Sequence, residues 1–206
     1  MTIPSISRRR LIVASAVLAG TPFLSRTAFA EVDPMSKEAV LFDPQVPVLG
    51  NPKGDVTIVE YFDYQCPYCK KAHPDDMRVV QEDGNVRFVM KDWPIFGPPS
   101  LYAARLTLAA GSGHAKAMAA LMATKGKLTP DMIETILTKA GFSVPKLNAA
   151  YDRDKDRINS MLQRNSTQAE TFGFPGTPAY VIGTAIYPGV VAPKDMKAAI
   201  AAARKG

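Results

Sequence analysis

The segment 55–64, DVTIVEYFDY, is apolar and β-branched or aromatic almost without a break as far as Phe62, with Glu60 interrupting it. Strict alternation would mark a strand with one wet face, whereas a near-continuous run of this length predicts a strand covered on both faces. The pattern then turns helical. Pro67 suits a first helical turn, where its missing N–H is no loss, and Gly84-Asn85 supplies a stop, so a helix is predicted over about 67–81. Pro74 falls inside it and is expected to kink or divide it, because it removes one backbone bond and crowds the carbonyl four residues earlier. VRFVMKDW, 86–93, restores strand character. Strand, helix, strand implies a parallel pair joined by a crossover helix.

Beyond GPPS at 97–100 the sequence becomes rich in alanine, leucine and methionine at helical spacing. Met118, Leu121 and Met122 share one face, as do Ile133, Ile136, Leu137 and Ala140 after a Thr129-Pro130 start; a further helix, or a bent pair, covers about 145–171. The methionines sit at core-facing positions without a Met-x-x-Met cluster, which fits core filling better than a copper stripe. PAYVIG and TAIYPG, around 178–189, read as two strands joined at Gly183-Thr184 by a tight hairpin, and Pro193 opens a last helix to about Arg204. Residues 31–54 are punctuated by proline and glycine and read as an extended arm packed on the domain.

Composition changes the picture mainly at the N-terminus. Arg8, Arg9 and Arg10 precede an apolar stretch at 11–20 and a small-x-small site at Ala28-Phe29-Ala30, the pattern of a cleaved signal peptide over 1–30. The apolar stretch is well short of the ~20 residues that cross a bilayer. The expectation is export to the periplasm by the general secretory (Sec) route or by the twin-arginine route, which Ser7 to Ile12 fits loosely. Removing that segment lowers the formal charge from +6 to +2, leaves 176 residues and leaves no cluster of lysine and arginine. Nucleic acid is therefore not an expected partner, and the remaining length suits one domain with an inserted subdomain.

The chain has two cysteines, Cys66 and Cys69, and two residues separate them. A loop this small removes little unfolded-state entropy, so a purely stabilising disulfide is a poor use of the pair. At the start of a helix, Cys66 would meet unsatisfied N–H groups and the positive end of the helix dipole, which favour a thiolate. That makes Cys66 the exchanging sulfur and Cys69, one turn on, the resolving one, with Pro67 and Tyr68 between them tuning the pair. An alternative reading is a copper- or zinc-binding envelope protein. Cys66, Cys69 and His73 fall at i, i+3 and i+7, although Pro74 distorts that face and a structural zinc site wants four ligands.

The whole order is that of an α/β protein, a thioredoxin fold with an inserted all-helical subdomain: signal peptide 1–30, arm 31–54, thioredoxin-fold domain 55–97 and 172–206, helical insertion 98–171. The Cys-Pro-Tyr-Cys segment, WPIFGPPS leading into YAARLTLAA, and GTPAYVIG together resemble the DsbA-like family of thiol:disulfide oxidoreductases, most closely the ScsC (suppressor of copper sensitivity) and Com1-type members. The resemblance implies that Thr177 and Pro178 form a cis-proline loop that docks extended substrate, and that Glu60 is a buried acid relaying a proton to Cys69. It implies no cofactor. Implied partners are unfolded or misoxidised exported proteins and a membrane redox protein, either a DsbB-like oxidant or a DsbD- or ScsB-like reductant. The implied activity is disulfide exchange, as an oxidase or as an isomerase or reductase in copper-stress defence. Tyr68 stands where the strongest oxidants of the family have histidine, which points to a weaker oxidant. A short arm favours a monomer.

Overall fold

The computed structural model describes residues 33–205, so the signal peptide expected over 1–30 lies outside the described residues. Along the chain the elements are α1 (Lys37–Leu41), β1 (Val48–Gly50), β2 (Val56–Phe62), α2 (Pro67–Asp83), β3 (Val86–Asp92), α3 (Pro98–Ala109), a 3-10 turn (Gly111–Gly113), α4 (His114–Met122), α5 (Pro130–Lys139), α6 (Val144–Thr171), β4 (Ala179–Ile182), β5 (Ala185–Pro188) and α7 (Pro193–Ala203). The five strands form one sheet in the order β1-β3-β2-β4-β5. β2 and β3 are parallel, from Val56 opposite Val86 to Phe62 opposite Asp92, and the other three pairings are antiparallel.

β2 is the central strand and every residue in it is buried, Glu60 included, as its nearly continuous apolar run predicts. Because side chains alternate across a strand, Glu60 and Tyr61 point to opposite faces. On one face lies α2, reached from β4 by the Tyr180 hydroxyl, which donates to Asp76 Oδ2 at 2.8 Å. On the other face Tyr61 packs edge-on against Phe172, with ring centroids 6.4 Å apart, and its hydroxyl donates to Gln168 of α6 at 3.0 Å.

One helix differs from expectation, and another decides between two expected forms. α2 runs without a break through Pro74. Its N-terminus is fixed by Pro67, and Gly84 closes it in the left-handed region at φ 71°, a conformation that costs glycine little. α6 is one helix of 28 residues rather than a bent pair. Past Pro145 it contains neither proline nor glycine, so nothing in the segment interrupts the hydrogen-bond ladder. Its C-terminal part leaves the insertion and lies on the sheet, where Asn165 donates to the Asp92 carbonyl at 3.1 Å.

The arm is not extended throughout. Ser36 caps α1, its hydroxyl accepting from the Ala39 N–H at 3.2 Å, and β1 adds an edge strand to β3. The hairpin between β4 and β5 turns at Gly183, φ 59°, where a Cβ would also meet Ala203 of α7 at 2.9 Å. Among the described residues no helix is long and apolar enough to cross a membrane.

Candidate active site

Cys66 is the N-cap of α2, in extended conformation at φ −67° and ψ 116°, so its side chain turns back over the open end of the helix. Its Sγ accepts from the Cys69 N–H at 3.4 Å and donates to the Thr177 carbonyl at 3.1 Å. That second contact brings the loop before β4 onto the cysteine, and the Thr177–Pro178 peptide in this loop is cis. Both cysteines are free thiols. The hydrogen bond from the Cys69 thiol, joined by backbone N–H groups of Cys69 and Tyr68, outweighs burial and lowers the Cys66 thiol to about 6. Cys69 lies deeper and is fully buried. Burial first, then its bond to Cys66 and the nearby Glu60, push its thiol upward. The two sulfurs are thus unequal: one is ready to attack near neutral pH, and the other needs a base to become nucleophilic.

Glu60 projects from β2 beneath the pair. It is completely buried, and neither carboxylate oxygen has a hydrogen-bond partner among the described residues. Burial, the charge of Asp76 and that of Cys66 hold its pKa well above the usual carboxylate value. Asp76 and Tyr180 were not anticipated from sequence. Asp76 continues the buried face of α2 set by Cys69 and Ala72, and burial raises it to about 7 against the opposing hydrogen bond from Tyr180. The one sequence signal for Asp76 is its helical spacing from Cys69 and Ala72, and that face is marked as buried only once α2 packs on the sheet.

Pro67 and Tyr68 lie at the surface, Tyr68 being 64 % exposed beside the buried cysteines. Ile95 and Phe96 are also exposed. Gln65 joins this edge to the helical insertion: its Nε2 donates to the Phe96 carbonyl at 3.0 Å and its Oε1 accepts from the Leu128 N–H at 3.0 Å. Asp63 anchors the same turn, accepting from the Ser100 hydroxyl at 2.6 Å and the Phe96 N–H at 3.0 Å. Lys70, one turn into α2, donates to the Gly126 carbonyl at 2.9 Å. The insertion is therefore bonded directly to the active-site turn.

The structure does not assemble Cys66, Cys69 and His73 as a metal site. Among the described residues no group of three or more histidine, cysteine, aspartate or glutamate side chains is placed to hold an ion. His73 is half-buried, its Nδ1 has no partner among the described residues, and burial lowers its pKa.

A family model described as thioredoxin matches residues 43–202. Among solved structures, a thioredoxin-like oxidoreductase from Silicibacter pomeroyi DSS-3 is 36% identical with a TM-score of 0.79, over 83% of this chain and 99% of that one. The thiol-disulfide exchange protein alpha-DsbA2 from Wolbachia pipientis is 25% identical with a TM-score of 0.75, over 80% and 90%. The catalytic domain of Proteus mirabilis ScsC is 28% identical with a TM-score of 0.72, over 82% and 94%. Among curated proteins, the Na(+)/H(+) antiporter NhaA 1 of Salinispora arenicola is 34% identical over 87 residues, which are 40% of this chain and 13% of the antiporter's length.

Proposed function

Because the chain belongs to the thioredoxin family, among its DsbA-like thiol:disulfide oxidoreductases, we propose that it is an exported dithiol enzyme of intermediate oxidising strength, exchanging disulfides with other exported proteins through Cys66. The observation that carries this reading is the meeting of Cys66 Sγ with the Thr177 carbonyl at 3.1 Å. The attacking sulfur lies against a backbone segment whose polar groups can align an extended peptide. Substrate thiolate attacks the Cys66 sulfur of the disulfide, Cys69 leaves, and Glu60 supplies the proton that this buried sulfur takes up. In the reverse sense Glu60 accepts the Cys69 proton, Cys69 attacks Cys66, and the substrate thiolate is released.

The strength follows from the thiolate. A Cys66 thiol near 6 lies between the values of about 7 and about 3.5 known for weak and strong oxidants of this chemistry. Stabilising the thiolate stabilises the reduced form, so a potential between about −270 and −120 mV is expected. Equilibrating the mature protein with glutathione and trapping the thiols measures it directly. A potential at either extreme would overturn the assignment of intermediate strength. Replacing Cys66 with serine is expected to abolish exchange, and replacing Cys69 to accumulate mixed disulfides with substrate. Exchange retained without Cys66 would sink the whole reading. Periplasmic location, a membrane redox partner and a monomeric state belong to the same proposal. A place in copper-stress defence rests on the likeness to ScsC and on nothing in the site.

A further inference from the structure

Two carboxyl groups share the buried layer under Cys69, and their surroundings are unequal. Glu60 on β2 and Tyr180 on β4 are cross-strand partners, so their side chains rise from the same face of the sheet. The Tyr180 hydroxyl reaches Asp76 on α2 and donates to it at 2.8 Å. Asp76 is 1 % exposed and Glu60 0 %, yet only Asp76 has a donor; Glu60 has none among the described residues. Two acids so placed cannot both ionise at low cost, and the one that receives a hydrogen bond ionises first.

We propose that Asp76, held by Tyr180, is a positioning residue for disulfide exchange: its carboxylate keeps the exchangeable proton on Glu60 and so governs when Cys69 can give up or recover its own. This inference rests on the relay role assigned to Glu60 above. With Asp76 charged, Glu60 stays protonated, a Cys69 thiolate expelled by incoming substrate is captured at once, and resolution by Cys69 is delayed. The mixed disulfide at Cys66 then persists, which is the state in which one substrate disulfide can be exchanged for another.

The groups around the pair leave this charge uncompensated. From α2 itself come Cys66, Cys69, half-buried His73 and the adjacent exposed Asp75. β4 contributes Tyr180, β3 places Met90 opposite Glu60, and β1 brings no ionisable side chain. On α7, Lys197 is paired with Glu82 at 2.7 Å, and Arg204, beyond its end, with Asp55 and Asp83. On α4, His114 is buried with neither nitrogen bonded among the described residues, and burial lowers its pKa to about 4, leaving it neutral.

The test uses the reduced protein and an aromatic disulfide, 5,5′-dithiobis(2-nitrobenzoate), in stopped flow. The first thionitrobenzoate released reports attack by Cys66, and the second reports attack by Cys69 on the mixed disulfide. Asp76→Asn keeps an acceptor for Tyr180 and removes the charge. It is expected to move the pH midpoint of the second phase downward by about one unit while leaving the midpoint of the first phase in place. Glu60→Gln is expected to remove that inflection, and the double variant to behave as Glu60→Gln alone. An unmoved second-phase midpoint in Asp76→Asn, with Glu60→Gln still altering it, overturns this inference and leaves the relay standing. An unaltered profile in Glu60→Gln overturns the relay itself. Should Asp76→Asn fail to fold, carboxyl carbon resonances of the wild-type protein decide the matter: Glu60 titrating in two steps, one coincident with Asp76, supports the coupling, and a single independent step overturns it.

Discussion

At the scale of single residues, the asymmetry between Cys66 and Cys69 is a difference of depth and donors within one helical turn. The Cys66 thiol falls to about 6 from 9.0. A depressed folded value means that the unfolded chain holds more protons between those limits, so reduced-protein stability rises as pH climbs through this window and is lost as pH falls through about 6. The oxidised protein has no such thiolate. The gap in thermal unfolding temperature between reduced and oxidised forms is therefore expected to shift in favour of the reduced form from pH 6 to 9, and a gap that does not change would show the thiolate to be unstabilised. The sequence exposed much of this site because Cys66, Cys69 and Glu60 are conspicuous where they stand. It did not expose Asp76, which sits in a polar-looking run, HPDD, whose buried side is defined only once α2 packs on the sheet. Tyr180 was unreadable for the converse reason: in PAYVIG it passes for one more apolar strand residue, and its hydroxyl acquires a role only from Asp76 across the layer.

At the scale of elements, period and punctuation were reliable wherever one signal acted alone. The strand-helix-strand unit, the Gly183-Thr184 hairpin and the Thr129-Pro130 helix start needed only local chemistry. Thr129 does cap α5, its hydroxyl accepting from the Met132 N–H at 3.3 Å. Substituting it with alanine is expected to cost about 1 kcal/mol in denaturant unfolding and to leave the glutathione equilibrium unchanged. An altered redox equilibrium would show that α5 communicates with the cysteines. Where two signals competed, the sequence was ambiguous. Pro74 argued for a break in α2, but Ala72, Asp76, Val79 and Val80 on either side of it bury one continuous face. Tertiary packing holds the helix together despite the bond that proline cannot make. Restoring that donor with Pro74→Ala is expected to raise stability by about 1 kcal/mol or more, and a loss of stability would show that α2 is shaped to the proline.

At the scale of the molecule, the arm, the sheet and the long helix are joined by one buried polar junction that no stretch of sequence could announce, since its members come from four distant segments. Gln168 of α6 is its centre. The Oε1 accepts from the Tyr61 hydroxyl at 3.0 Å and from Lys91 Nζ at 2.6 Å, and the Nε2 donates to the carbonyls of Pro34 at 2.6 Å and Ala39 at 3.1 Å. Lys91 also donates to the Ala39 carbonyl at 2.9 Å. Nearby, Arg164 of α6 clasps Asp43, its Nε donating at 2.8 Å. Lys91 is completely buried, and desolvation brings it down to about 7 from 10.5. Here the unfolded chain binds more protons between those values, so this group makes stability rise with pH through that window and levels off its penalty below about 7. Lys91→Met removes the penalty together with two hydrogen bonds. Compared as oxidised proteins, which eliminates the Cys66 contribution, the variant is expected to gain on the wild type progressively as pH falls from 10.5 to 7. A stability difference independent of pH would mean that Lys91 stays charged in the fold. In that case the junction would be held by an ammonium rather than by a neutral amine, and Gln168 would be compensating a buried charge instead of only tying the arm to the sheet.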